Sequence, residues 1–164
     1  MAQYSDISLP TDRFLSGAVN VLHAAFVGSS RAQAKRHFAR VQGGAELDLG
    51  SLPLSDGSLL KFKVALDQQY FQGKLNFTIF RRCMTVLIGR IVERIRLKKE
   101  LPVYNADNGA VLFNVPALLN YEGKQNVFML GMDAPGEGEV TLRLQFLDPE
   151  QFRTQASAND AAEA

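Results

Sequence analysis

The stretch from Leu75 to Lys99, LNFTIFRRCMTVLIGRIVERIRLKK, is the feature that most constrains the fold of this chain. Six of its apolar residues recur at steps of three or four, which is the period of one helix face: Phe77, Phe80, Met84, Ile88, Ile91 and Ile95. The basic residues near its end suit the negative end of a helix dipole, and Pro102 follows as a stop signal. The sequence therefore predicts one long helix that is buried against the rest of the protein.

Helical spacing also marks the N-terminal part of the chain. Apolar residues from Phe14 to Phe26 repeat at this spacing after Thr11, which can cap the helix. Residues 31–40 form either a second short helix or a continuation of the first, and Gly43-Gly44 ends it. One or two N-terminal helices are therefore predicted.

Strand patterns lie on both sides of the long helix. Residues 45–49 and 60–66 alternate before it, and residues 111–121, 127–132 and 140–146 are extended or alternating after it. Strands that occur in adjacent groups joined by short turns favour antiparallel pairing. The sequence predicts an α+β fold, with an antiparallel sheet of about five strands packed on one long central helix plus the N-terminal helices.

Length and composition predict one compact unit. With 164 residues, we expect a single globular domain over residues 1–153 and a disordered small-residue tail over residues 154–164. Cys83 is the only cysteine, so it forms no internal disulfide, which suits a reducing compartment. The start of the chain lacks the pattern of a secretory signal, and no run approaches the ~18 apolar residues of a membrane span. A cytoplasmic location without a membrane is therefore expected.

Charge is balanced in total but uneven along the chain. The formal net charge is +1, yet residues 31–99 hold 14 Lys and Arg against 5 Asp and Glu, and residues 100–164 hold 3 against 10. The two parts can neutralise each other within one fold. They can also present a basic and an acidic face, which favours head-to-tail or charge-complementary association.

No pattern of catalytic, cofactor-binding or metal-binding residues is visible in the sequence. The two histidines, His23 and His37, have no partner in sequence that would make a Cys-His dyad or a metal site. The acidic turn at residues 133–139 lacks the spacing of a calcium loop, and no phosphate-binding glycine motif is present. A non-enzymatic function is favoured, with no catalytic residue, metal or cofactor assigned.

Clusters of basic residues suggest a phosphate-binding surface. If they converge, Tyr70 and Phe71 in an adjoining turn could stack on bases. Against this, no nucleic-acid-binding motif is legible. The candidate contacts for nucleic acid are Arg31, Lys35, Arg36, Arg40, Lys61, Lys63, Arg90 and Arg94.

One basic segment resembles a motif of a known family. Arg36-His-Phe-Ala-Arg40 has the R-x-x-x-R form of the arginine motif in PilZ domains, which binds cyclic di-GMP. The D/N-x-S-x-x-G motif that PilZ domains carry downstream has no match here, since Asp67 to Gly73 supplies no serine between its ends. A cyclic-dinucleotide module is therefore a lower-ranked hypothesis, as is an enzyme of unrecognised type.

Small residues form a stripe along the long helix, at Thr78, Thr85 and Gly89. A glycine in mid-helix costs about 1 kcal/mol relative to alanine, and close approach by a neighbour is the usual reason to tolerate it. That neighbour is either another part of the same chain or a second subunit. The function predicted from sequence is a cytoplasmic interaction or assembly module that forms a homodimer or binds a protein partner. The alternative is a nucleic-acid-binding accessory protein.

Overall fold

The computed structural model describes residues 12–53, 57–67, 75–98, 103–105, 111–113, 117–121, 123–132, 138–148 and 150. Three helices have their bounds within these residues: α1 (Asp12–Phe26), α2 (Arg31–Gln42) and α3 (Phe77–Leu97). Seven strands do so as well: β1 (Leu47–Pro53), β2 (Leu59–Leu66), β3 (Val103–Asn105), β4 (Val111–Phe113), β5 (Ala117–Tyr121), β6 (Lys124–Met132) and β7 (Glu139–Leu147). The predicted tail at residues 154–164 and the predicted cap Thr11 lie outside the described residues.

Helix α3 occupies nearly the whole segment that the sequence predicted. It begins where the Asn76 side chain accepts a hydrogen bond from the backbone N–H of Ile79, at 2.9 Å. It ends at Leu97, and the next residue, Lys98, adopts the left-handed conformation with φ 54°. α3 is not alone at the centre of the fold, because α1 packs along it and both helices bury seven side chains.

Residues 31–40 could be either a second helix or a continuation of the first, and the structure shows a separate helix. Ser30 has extended backbone angles and caps α2, because its side chain accepts a hydrogen bond from the N–H of Gln33 at 3.1 Å. A short turn over residues 27–30 separates α1 from α2. The N-terminal region is therefore a helix pair.

The main sheet has five strands in the order β1-β2-β7-β6-β5. β1 and β2 pair antiparallel, as do β7, β6 and β5, but β2 and β7 run parallel, with Lys61 opposite Glu139 and Leu66 opposite Leu144. The α+β class is confirmed, and the prediction of a wholly antiparallel sheet is corrected to a mixed one. A parallel pair needs a long crossover connection, and here α3 and the following strands form it.

The predicted strand over residues 111–121 is divided into β4 and β5. β4 pairs with β3 in a separate two-stranded sheet, whereas β5 joins the edge of the main sheet. Residues 114–116 between them, including Pro116, lie outside the described residues.

The core lies between the helices and one face of the main sheet. Alternate residues of β2, such as Phe62 and Val64, are fully buried, and the Phe62 ring lies 5.4 Å from that of Phe14 on α1. Successive side chains of a strand point to opposite faces, so Lys61 and Lys63 lie on the face that is turned away from the helices. We call that second face the outer sheet face.

Candidate interaction surface

The three helices carry a strong excess of positive charge. The helical layer, defined here as residues 12–42 and 75–98, contains eleven Lys and Arg but only two acidic residues, Asp12 and Glu93. Its interior is apolar, so these charges lie along its outer surface and edges. The basic residues are Arg13, Arg31, Lys35, Arg36, Arg40, Arg81, Arg82, Arg90, Arg94, Arg96 and Lys98.

The remaining described residues have the opposite balance, with four Lys and Arg against six Asp and Glu. On the outer sheet face, Lys63 Nζ lies 3.2 Å from Glu139 Oε2, and the hydrogen bond to Glu139 raises the pKa of Lys63. Gln145 donates a hydrogen bond to the carboxylate of Asp67 at 2.9 Å. The basic face of β2 is thus partly neutralised by neighbouring strands, whereas basic residues outnumber acidic ones by eleven to two within the helical layer.

The structure divides the eight residues that the sequence proposed for nucleic-acid contact. Six of them lie in the helical layer, four on α2 and two on α3. The four on α2 are all exposed: Arg31, Lys35, Arg36 and Arg40. On α3, Arg90 is exposed and Arg94 is half-buried. Lys61 and Lys63 lie on the outer sheet face, with the sheet between them and the helices. Tyr70 and Phe71, proposed for base stacking, lie outside the described residues.

Some of the positive charge has a structural role that the sequence did not reveal. Arg31 lies over the ring of Phe77 at 5.1 Å, and Arg81 lies at 6.0 Å from the same ring. Arg81 also donates hydrogen bonds to the carbonyls of Val27 and Ser29, at 2.9 and 3.2 Å. These two arginines therefore tie α2 and the α1–α2 turn to the start of α3.

A groove of about 250 Å³ runs between α1 and α3 on the helical side of the molecule. Its lining residues are Ser16, Val19, Asn20, Val92, Ile95 and Arg96. Val92 is 46% exposed although it is apolar. From sequence, Arg96 was assigned to the helix dipole and to a possible phosphate-binding surface, because nothing in the local pattern shows that α1 lies beside it.

The small-residue stripe of Thr78, Thr85 and Gly89 is exposed along α3. The Thr85 hydroxyl donates a hydrogen bond to the carbonyl of Arg81 at 2.9 Å. A Cβ atom placed on Gly89 would meet no atom within 4 Å. Close approach by another part of the described chain therefore does not explain this glycine, and the self-association role of the stripe stays a prediction.

Replacing Gly89 by alanine is expected to stabilise the protein by about 0.5–1 kcal/mol, because alanine restricts the unfolded chain and space for the methyl group is open. Gly17 in α1 is the matched control, since its Cβ would lie 3.3 Å from the Phe62 ring. Urea denaturation of Gly89→Ala and Gly17→Ala compares the two. Equal gains at both positions would show that packing around Gly17 is looser than described.

Cys83 and His37 were considered for nucleophilic catalysis from the sequence, and the structure shows the surroundings of each. Cys83 is fully buried, and this burial raises the pKa of its thiol to about 12, so the thiolate is scarce at neutral pH. A ring nitrogen of His37, Nδ1, lies 2.9 Å from the carbonyl oxygen of Ala25. Within the described part of the chain, no group of three or more His, Cys, Asp and Glu is arranged to hold a metal ion.

Comparisons with known proteins give no information about the function of this surface. No protein family, curated protein or solved structure shows a significant match to the chain. Among the described residues, no helix combines the length and apolar character needed to cross a membrane. The functional proposal therefore depends on the charge and shape of the described residues.

Proposed function

We propose that this chain is a non-enzymatic interaction module of the cytoplasm that binds an acidic protein partner on the outer surface of its helical layer. The single observation that carries the proposal is the charge of that layer, with eleven basic residues against two acidic ones. Such a surface attracts an acidic partner and repels a basic one, which sets both the encounter rate and the choice of partner.

Exposed apolar surface in the same layer favours a protein over a polynucleotide. Val92 on α3 is 46% exposed, and a phosphate backbone gains nothing from it. All phenylalanines of the helical layer are buried, and the layer contains no Tyr or Trp, so its helices offer no base-stacking platform. Nucleic acid is the second candidate partner, because the cationic charge alone also attracts phosphates.

A second copy of the chain is a special case of an acidic protein partner. Two helical layers facing each other would repel, since both carry the same excess of charge. The charge pattern instead favours the helical layer of one copy against acidic parts of another, which is head-to-tail association. Light scattering over a range of salt concentrations measures whether the protein self-associates in this way.

Reversing two charges of the helical layer is expected to weaken binding to an acidic polymer about tenfold at low salt. The variant is Arg36→Glu with Arg90→Glu, both at exposed positions of α2 and α3. The matched control is Lys61→Glu with Lys124→Glu, which removes the same charge from exposed positions on strands. Fluorescence anisotropy with labelled poly-L-glutamate and with a duplex DNA oligonucleotide measures both variants.

The outcomes of this experiment separate the candidate partners. Loss of poly-L-glutamate binding in the helical variant but not in the control supports the proposal. Equal loss in both variants would show that total charge matters and the helical layer does not. Binding of DNA without binding of poly-L-glutamate would overturn the proposal in favour of nucleic acid.

A further inference from the structure

The groove between α1 and α3 combines an apolar floor with a polar rim. Val19 is buried at its base, and Val92 and Ile95 form the α3 wall. Ser16 and Asn20 on α1 and Arg96 on α3 are the other described residues that line it. Of the two large apolar side chains that are most exposed on α3, Val92 lines this groove and Leu97 does not. The groove is therefore an apolar surface within a cationic layer.

Positive charge on the groove and on the helical layer around it favours an acidic occupant. Arg96 is the charged residue among the described residues that line the groove, and the helical layer around it holds eleven basic residues against two acidic ones. A helical layer from a second copy would bring like charges together, so it is disfavoured here. A segment with carboxylates next to an apolar residue complements both the floor and the rim.

We propose that this groove seats an apolar side chain from a short acidic segment of the partner protein, with a flanking carboxylate on Arg96. The inference rests on the proposed function, and it adds the anchoring point and the chemistry of the partner segment. The guanidinium of arginine presents a planar fork that binds a carboxylate in a bidentate manner. Laying an amphipathic segment along a groove between two helices is a recurring mode of peptide recognition.

Two matched peptides and two matched variants test the assignment. The first peptide is rich in glutamate with a central Leu-x-x-Leu pair, and the second has serine at both leucine positions. We expect the protein to bind the leucine peptide about tenfold more tightly than the serine peptide, because the groove removes leucine from water. Val92→Gln should abolish this preference, whereas Leu97→Gln, at a position 44% exposed and outside the groove, should retain it.

The results distinguish failure of the groove from failure of the proposed function. If both peptides bind wild-type protein equally well, and Arg36→Glu with Arg90→Glu weakens both, the groove assignment is wrong and the proposed function stands. If neither peptide binds at low salt, the proposed function is wrong and the groove assignment with it. Thermal melts of Val92→Gln and Leu97→Gln show whether both variants remain folded.

Two other occupants are detected in the same series. Phosphatidylserine vesicles that bind in a Val92-dependent manner, without a preference for the leucine peptide, would identify a membrane as the occupant and overturn the proposal. A dimer in light scattering that is lost in Val92→Gln but not in Leu97→Gln would assign the groove to a second copy. Either result would mean that the groove does not bind an acidic segment of a partner protein.

Discussion

Replacing Phe80 by alanine is expected to lower the free energy of unfolding by about 3–5 kcal/mol, because it opens a cavity in the centre of the core. Phe80 is fully buried, and its ring lies 5.2 Å from that of Phe26, 4.6 Å from Phe38 and 5.9 Å from Phe128. These partners belong to α1, α2 and β6, so one side chain joins all three helices to the sheet. The loss therefore affects every layer of the fold.

Urea denaturation followed by circular dichroism measures this loss as a lower midpoint with an unchanged slope. Phe80→Leu is the control, because it keeps most of the apolar volume and should cost much less than the alanine variant. If Phe80→Ala cost no more than Phe80→Leu, the four rings would not form the centre of the core.

The long helix could be predicted from sequence because its signals are local. The period of its apolar residues and the basic residues near its end both lie within the segment itself. The prediction over residues 75–99 therefore differs from the observed Phe77–Leu97 by only two residues at either end. β6 and β7 were predictable in the same way, whereas β5 was predicted only as part of one extended segment over residues 111–121.

The pairing of β2 with β7 could not be predicted, because it is non-local. Residues such as Val64 and Leu142 are opposite each other in the sheet but are separated in the chain by α3 and four strands. Turn signals describe which neighbouring strands form hairpins, and they contain no information about a strand that returns from far along the chain. The parallel register was therefore missed although both strands were predicted.

Only part of the candidate surface could be predicted from the sequence, because the rest depends on contacts between distant parts of the chain. The basic residues of α2 and α3 were recognised, and the alternation around Phe62 already showed that Lys61 and Lys63 share one strand face. Which face the helices would cover depends on tertiary packing, so the separation of these lysines from the arginines was not predictable. The groove beside Arg96 depends on α1 lying against α3, and no local pattern in either helix predicts that contact.

Replacing Arg81 by alanine is expected to cost about 2 kcal/mol of stability, because two backbone carbonyls lose a charged hydrogen-bond donor. The Arg81 guanidinium donates to the carbonyls of Val27 and Ser29 at 2.9 and 3.2 Å, in the turn that follows α1. Both bonds are partly buried, so water replaces them incompletely. A positive charge at this position also complements the negative end of the α1 dipole.

Arg82 is the matched control for this prediction, since it is the next residue of α3 and it is exposed. Arg82→Ala should change stability by no more than about 0.5 kcal/mol, as is usual for a surface position. Arg81→Lys should fall between the two, because a lysine keeps the charge but cannot present the arginine fork to both carbonyls. Thermal and urea denaturation measure the order of stability of the three variants. If Arg81→Ala and Arg82→Ala were equally stable, Arg81 would not contribute to the stability of the α1–α2 turn. The turn would then be held in place by its own backbone and by the packing of Phe26 and Phe38.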